Sequence, residues 1–246
     1  MEPLNKSFDE RLQEIEAYLD LLDALQRQVQ TGPPTIGGAT ITAQQQKILY
    51  SSVYLQLYNL VEATATWCID AVASAAANGG RWKPGDLSAE LRREWVRVTA
   101  RTHTDLNYDH RLQTAVDFFS WIIDGQSVGP WGIEKGGGGN WDDSELERIA
   151  ERLGVAFNIS DSVKTNAKRF IRDDMSTLKL VKFLRNKLAH GSLSFTECGE
   201  NVTVAELRNL TNWAADYLRE VIKLFQHFID TFGFLQPAAR PAGGPL

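Results

Sequence analysis

Between the breaks "TGPPTIGG" and "NGGRWKPGD" the chain runs from about Ala43 to Ala77 without a proline or a glycine. Helical spacing over that length gives one helix roughly 50 Å long, at about 1.5 Å per residue. It is apolar on nearly every side, through Ile48, Val53, Leu57, Leu60, Val61, Trp67, Ile69 and Val72. A helix of that kind has to sit centrally, in a core or between subunits. A narrow polar stripe of Ser52, Gln56, Asn59 and Glu62 interrupts it at spacings of three and four. Glu62 stands out within that stripe, because a carboxylate amid so much apolar surface needs a partner.

The remaining segments read the same way, and the class is all-α. Ser7 with Glu10 makes a capping box ahead of a first helix whose one face carries Phe8, Leu12, Ile15, Leu19, Leu22 and Leu25. Ser88 caps a shorter helix, and another follows from about His110 to Ile123 with Leu112, Val116, Phe119 and Ile122 in register. A helix begins at Asp142 or Asp143, and an amphipathic one runs from about Asp174 to Ala189 with Leu178, Val181, Leu184 and Leu188 as its stripe. Thr203 with Glu206 opens the last long helix, where Leu207, Leu210, Ala214, Tyr217, Val221, Leu224 and Phe228 form a seam that suits a bundle. Only "SLSF", residues 192–195, alternates like a short strand. One helical domain over residues 1–236 and a flexible Pro/Gly-rich tail over 237–246 account for the chain.

No stretch of about 18 uninterrupted apolar residues offers a bilayer span, and "MEPLNKSFDERL" lacks the pattern of a secretory signal. The expected location is the cytoplasm, away from membranes. Two cysteines, Cys68 and Cys198, form neither a disulfide framework nor a zinc spacing. His103 and His110 flank "TDLNYD" with no ligand-like repeat, so neither a metal nor another cofactor is expected. The glycine run in "DGQSVGPWGIEKGGGGNW" lacks the Lys-Ser/Thr of a phosphate-binding loop and reads as a surface loop. No paired carboxylates fall on a credible cleft, which leaves little support for a hydrolase built on two acids.

Charge is distributed unevenly. The whole chain carries a formal −5, yet residues 164–187 hold eight lysines and arginines against Asp173 and Asp174. Inside that segment lies "FLRNKLAHG", with Arg185 on the edge of the apolar stripe and His190 at the helix end just before Gly191. Histidine changes charge near neutral pH, which suits proton transfer. A partly dehydrated guanidinium wants a carboxylate, for which Glu62 is the first candidate, or a phosphate, which its planar fork can bond twice. Five residues amount to a rotation of about 140° beyond one turn. Arg185 and His190 of one chain therefore point different ways, and a bend or a second copy of the helix must bring them together.

The order of "LYNLVEATATW", "GNWDDSELERIAERLGV" and "LVKFLRNKLAHG", ending in a long helix, resembles the HEPN superfamily. The nearest likeness is to the MAE-like HEPN nucleases of the RiboL-PSP-HEPN group. That resemblance implies an antiparallel helical bundle with two long central helices and shorter accessory ones. It also implies a homodimer whose two Arg-x4-His helices face each other across one composite site. Many members are metal-independent endoribonucleases acting as toxins or defence effectors on an RNA substrate. Carried over, His190 acts as general acid or base, Arg185 stabilises charge on the scissile phosphate, and Asn186 positions the phosphate or the histidine. Glu62, Lys187 and Asn59 are the supporting residues. Ser192 stands where some members carry a tyrosine modified by a partner nucleotidyltransferase. Other HEPN domains are non-catalytic modules that bind a cognate partner such as an antitoxin, and this is the alternative function.

Overall fold

A computed structural model describes residues 2–101, 107–135, 140–172 and 174–242. Helices dominate it: α1 (Glu2–Val29), α2 (Ala43–Ala77), α3 (Ala89–Thr99), α4 (Tyr108–Ile123), α5 (Asp143–Leu153), α6 (Asp161–Ala167), α7 (Thr177–Ala189), α8 (Phe195–Cys198) and α9 (Val204–Asp230). The class is all-α, with α2 and α9 as the long elements that follow the opening helix. The strands among the described residues are two-residue β1 (Thr35–Ile36) and β2 (Ala39–Thr40), an exposed hairpin turned by Gly37 and Gly38 at positive φ. The chain divides into two compact units, and α2 and α9 contribute residues to both.

The first unit comprises Met1–Thr64, Gly139–Ser144 and Ile159–Ile222. Phe8, Leu12, Ile15, Leu19, Leu22 and Leu25 are all buried, as their spacing on α1 requires. Asp9 pairs with Arg219, while Asp20 and Asp23 pair with Arg208. Rising numbers on α1 thus meet falling numbers on α9, and the two helices run antiparallel. Val53, Leu57, Leu60 and Val61 bury the first part of α2, which explains its hydropathy: α2 is long and apolar enough to cross a bilayer by length and composition, yet these side chains serve a protein core. At its N-terminal end the backbone of Lys47 comes so close to Gly199 that a Cβ there would lie 2.0 Å from the Lys47 carbonyl oxygen.

The second unit comprises Ala65–Gly138, Glu145–Asn158 and Lys223–Leu246. The Trp82 ring packs edge-on to Phe232 and Phe234, and the Ser88 N–H donates to the Phe234 carbonyl at 2.9 Å. Residues Pro237–Ala239 add a 3₁₀ turn, joined upstream by the Gln236 N–H donating to the Asp86 carbonyl. Glu94, fully buried on α3, lies 3.5 Å from Arg97 and 3.3 Å from Arg152. Burial pulls the Arg152 guanidinium below its ordinary value.

Four local expectations are corrected. Ser7 does not cap α1, which already begins at Glu2. "SLSF" is no strand: Ser194 accepts from the Glu197 N–H and caps α8. The amphipathic helix begins at Thr177 rather than near Asp174, whose φ of 55° interrupts the approach. Last, the face of α4 marked by Leu112, Val116, Phe119 and Ile122 is not a core face. Phe119 is 65% exposed and Ile123 70%. The helix packs instead through Phe118 and Trp121, whose rings lie 5.5 and 5.9 Å from that of Trp95.

Candidate active site on α7

Leu178, Val181, Leu184 and Leu188 are buried, so α7 lies with this stripe inward. The helix ends in a Schellman arrangement: the Gly191 N–H donates to the Leu188 carbonyl at 3.2 Å and the Ser192 N–H to the Lys187 carbonyl at 3.0 Å. Gly191 supplies the left-handed residue, with φ +67°, and His190 is the C-cap. Hydrogen bonds on either side therefore fix where the imidazole leaves the backbone.

The exposed side of α7 carries Lys179, Phe183, Asn186 and His190 at spacings of four, three and four, which puts them on one face. With Lys182, Lys187, Met175, Asp174 and Ser192 they line a cleft of about 490 Å³. Lys182 is neutralised by Asp142, but Lys179 and Lys187 outnumber Asp174 among the described lining residues, which makes the cleft cationic, a local sign opposite to the chain's net charge. Arg185 does not belong to that lining. Its guanidinium lies 4.2 Å from the centroid of the Tyr58 ring, 3.8 Å from Glu62 Oε2, and donates to Asn186 Oδ1 at 2.8 Å. Tyr58 and Glu62, one turn apart on α2, form a seat for it. Arg185 and His190 thus leave opposite edges of the α7 surface, as the five-residue spacing demands.

Residues 140–142, where the glycine-rich loop returns to the described chain, tie these pieces together. Asn186 Nδ2 donates to Asn140 Oδ1 at 2.8 Å, the Trp141 N–H donates to the Tyr58 hydroxyl at 3.1 Å, and Asp142 pairs with Lys182. Burial pushes the Tyr58 phenol up, and the Trp141 hydrogen bond pulls it the other way. The phenol stays an acceptor for that N–H and a neutral ring for the guanidinium above it. Asn186 consequently touches both faces: it lines the cleft and accepts from Arg185.

A family profile of MAE-like HEPN domains matches residues 1–234. The chain belongs to the MAE-like HEPN family. HEPN domains are helical bundles and are often ribonucleases. No curated protein and no solved structure matches this HEPN chain.

Of the residues singled out from sequence, Arg185 contacts both Asn186 and Glu62, and His190 and Lys187 share the cleft with Asn186. Asn59 stands apart, exposed on α2. His103 lies outside the described residues; among those described, no group of three His, Cys, Asp or Glu is placed to hold a metal. Sequence reasoning counted Lys179 and Lys182 in the basic segment without giving them a place in the site, and missed Phe183 and the strap of residues 140–142. Phe183 was findable: it sits on the side of α7 away from the leucine stripe, a place where a large aromatic is conspicuous. Nothing in the spacing of the strap announces its contacts.

Proposed function

We propose that this HEPN chain is a metal-independent endoribonuclease of the toxin or defence-effector type, acting in the cytoplasm. Its site is composite, formed where two copies bring their α7 helices together around one RNA phosphodiester. The observation that carries this reading is the split of α7. His190 opens into a cationic cleft, whereas Arg185 sits off that cleft over Tyr58. A phosphate that needs both groups is best served by His190 of one copy and Arg185 of the other.

The chemistry then follows from the groups present. His190 takes the proton of the ribose 2′-hydroxyl, the freed oxygen attacks phosphorus, and the bond from phosphorus to the 5′-oxygen breaks. The departing oxygen gains a proton from water, and the hydroxide so formed takes back the proton held by His190, leaving a 2′,3′-cyclic phosphate, a 5′-hydroxyl and a neutral imidazole. Arg185 and Asn186 stabilise the charge that builds on the phosphoryl oxygens. Both halves of the Arg185–Glu62 pair are partly exposed, at 29% and 38%, so the pair contributes no more than about 1 kcal/mol. A phosphate can displace Glu62 at small cost. Lys179 and Lys187 supply attraction for the RNA backbone.

Incubation of purified protein with RNA in chelator tests the reading. Cleavage with cyclic-phosphate ends is expected, lost in His190→Ala and in Arg185→Ala. No cleavage by wild type, or equal cleavage by His190→Ala, overturns it. One observation favours the alternative of a partner-binding module: α4 leaves Leu112, Val116, Phe119 and Ile123 open to solvent, and faces of that kind mark interaction surfaces. That reading expects capture of a cognate protein such as an antitoxin, abolished by Phe119→Glu and indifferent to His190→Ala.

A further inference from the structure

We propose that the α7 cleft seats one unpaired nucleobase of the RNA against the ring of Phe183. The inference rests on the ribonuclease reading for its substrate class but adds a contact which that reading does not require. Every other large apolar residue on α7 is buried: Leu178, Leu180, Val181, Leu184 and Leu188. Phe183 alone is left 38% exposed, and it stands inside the cleft. A groove that only gripped phosphates has no use for an open aromatic ring in its lining.

The surroundings match a nucleotide in both of its parts. Met175 and the aliphatic stems of the lysines add apolar lining beside Phe183, while Lys179, Lys187 and His190 add polar, basic groups to the same cleft; Lys182 is held by Asp142. A volume of about 490 Å³ is within the range of pockets that enclose small organic ligands. Lys187 Nζ now lies 5.3 Å from the Phe183 ring centroid, a contact worth little at an exposed site and easily exchanged for a phosphate. Phe183 precedes His190 by seven residues, two turns, so the ring and the imidazole share a face about 10 Å apart along the axis. A base stacked on Phe183 therefore belongs to a nucleotide next to, or one removed from, the scissile phosphate. Within a duplex, base faces are covered by their neighbours, and an aromatic side chain in a cleft reaches only a base that has been splayed out.

The test is binding by the full-length His190→Ala protein, which holds RNA without consuming it, followed by fluorescence anisotropy. The probes are a labelled single-stranded RNA oligonucleotide and the same strand annealed to its complement. The single strand should bind about tenfold or more tightly than the duplex. Phe183→Ala should weaken single-strand binding roughly tenfold, as the loss of one base stack does, with Phe183→Trp restoring it. The salt dependence should persist in Phe183→Ala and diminish in Lys179→Ala and Lys187→Ala. Equal affinity for duplex, no loss in Phe183→Ala, failure of Phe183→Trp to restore binding, or absence of RNA binding altogether overturns the proposal. Because Phe183 lies on the face of α7 that the second copy approaches, thermal melts and light scattering accompany the binding, and Phe183→Trp with the parent's melting temperature and dimer guards against a lost interface. The two readings fail separately. Tight Phe183-dependent binding without cleavage by wild type removes the nuclease and keeps the base seat; cleavage indifferent to Phe183 does the reverse.

Discussion

Asn186 carries more of the site than its size suggests. It accepts from Arg185, donates to Asn140 and lines the cleft, so one amide fixes the guanidinium relative to the cavity. Asn186→Ala should lower kcat about tenfold or more with a smaller change in KM, since Arg185 would keep its Tyr58 seat but lose its angle; steady-state kinetics on RNA would check this. Two glycines matter for different reasons. Gly199→Ala would drive a methyl group into the Lys47 backbone and should cost at least about 2 kcal/mol. Gly191→Ala meets open space and pays only for a left-handed backbone, about 1 kcal/mol. Chemical denaturation of the pair separates the two mechanisms.

At the scale of elements, α2 and α7 were legible because a repeating apolar pattern is a direct record of a buried face. The ends of α2 fall where the breaks in the chain put them, and the Schellman finish of α7 follows from Gly191. Periodicity failed for α4 because spacing tells which residues share a face, not whether another element covers it. Phe118 and Trp121 anchor that helix, and the Phe119 face stays open. Phe119→Ser should consequently shift stability by no more than about 0.5 kcal/mol, while Phe118→Ala should cost about 2 kcal/mol or more. A reversal of that order in thermal melts contradicts the packing described for α4. The strap of residues 140–142 was illegible for another reason: its contacts with Tyr58, Lys182 and Asn186 join residues far apart in sequence, and no local rule encodes such a meeting.

Across the whole molecule, the net charge of −5 hides a cationic face displayed largely by α7. Two buried thiols set the response to alkali. Burial pushes Cys68 up to about 12 and Cys198 to about 11, from an ordinary value of 9.0; Tyr54 is also pushed up by burial. The folded chain therefore keeps protons that the unfolded chain releases, so stability should fall as pH rises from about 9 towards 11 and 12. Denaturant midpoints across that range would show the slope, and both thiols should resist alkylation until the protein unfolds. The composite site is the central claim, and mixing two inactive proteins tests it most directly. Arg185→Ala and His190→Ala, unfolded together and refolded so that subunits exchange, should regain a substantial part of wild-type RNA cleavage, because a mixed dimer unites the intact His190 of one chain with the intact Arg185 of the other. A mixture that remains as inactive as either variant alone would contradict the account.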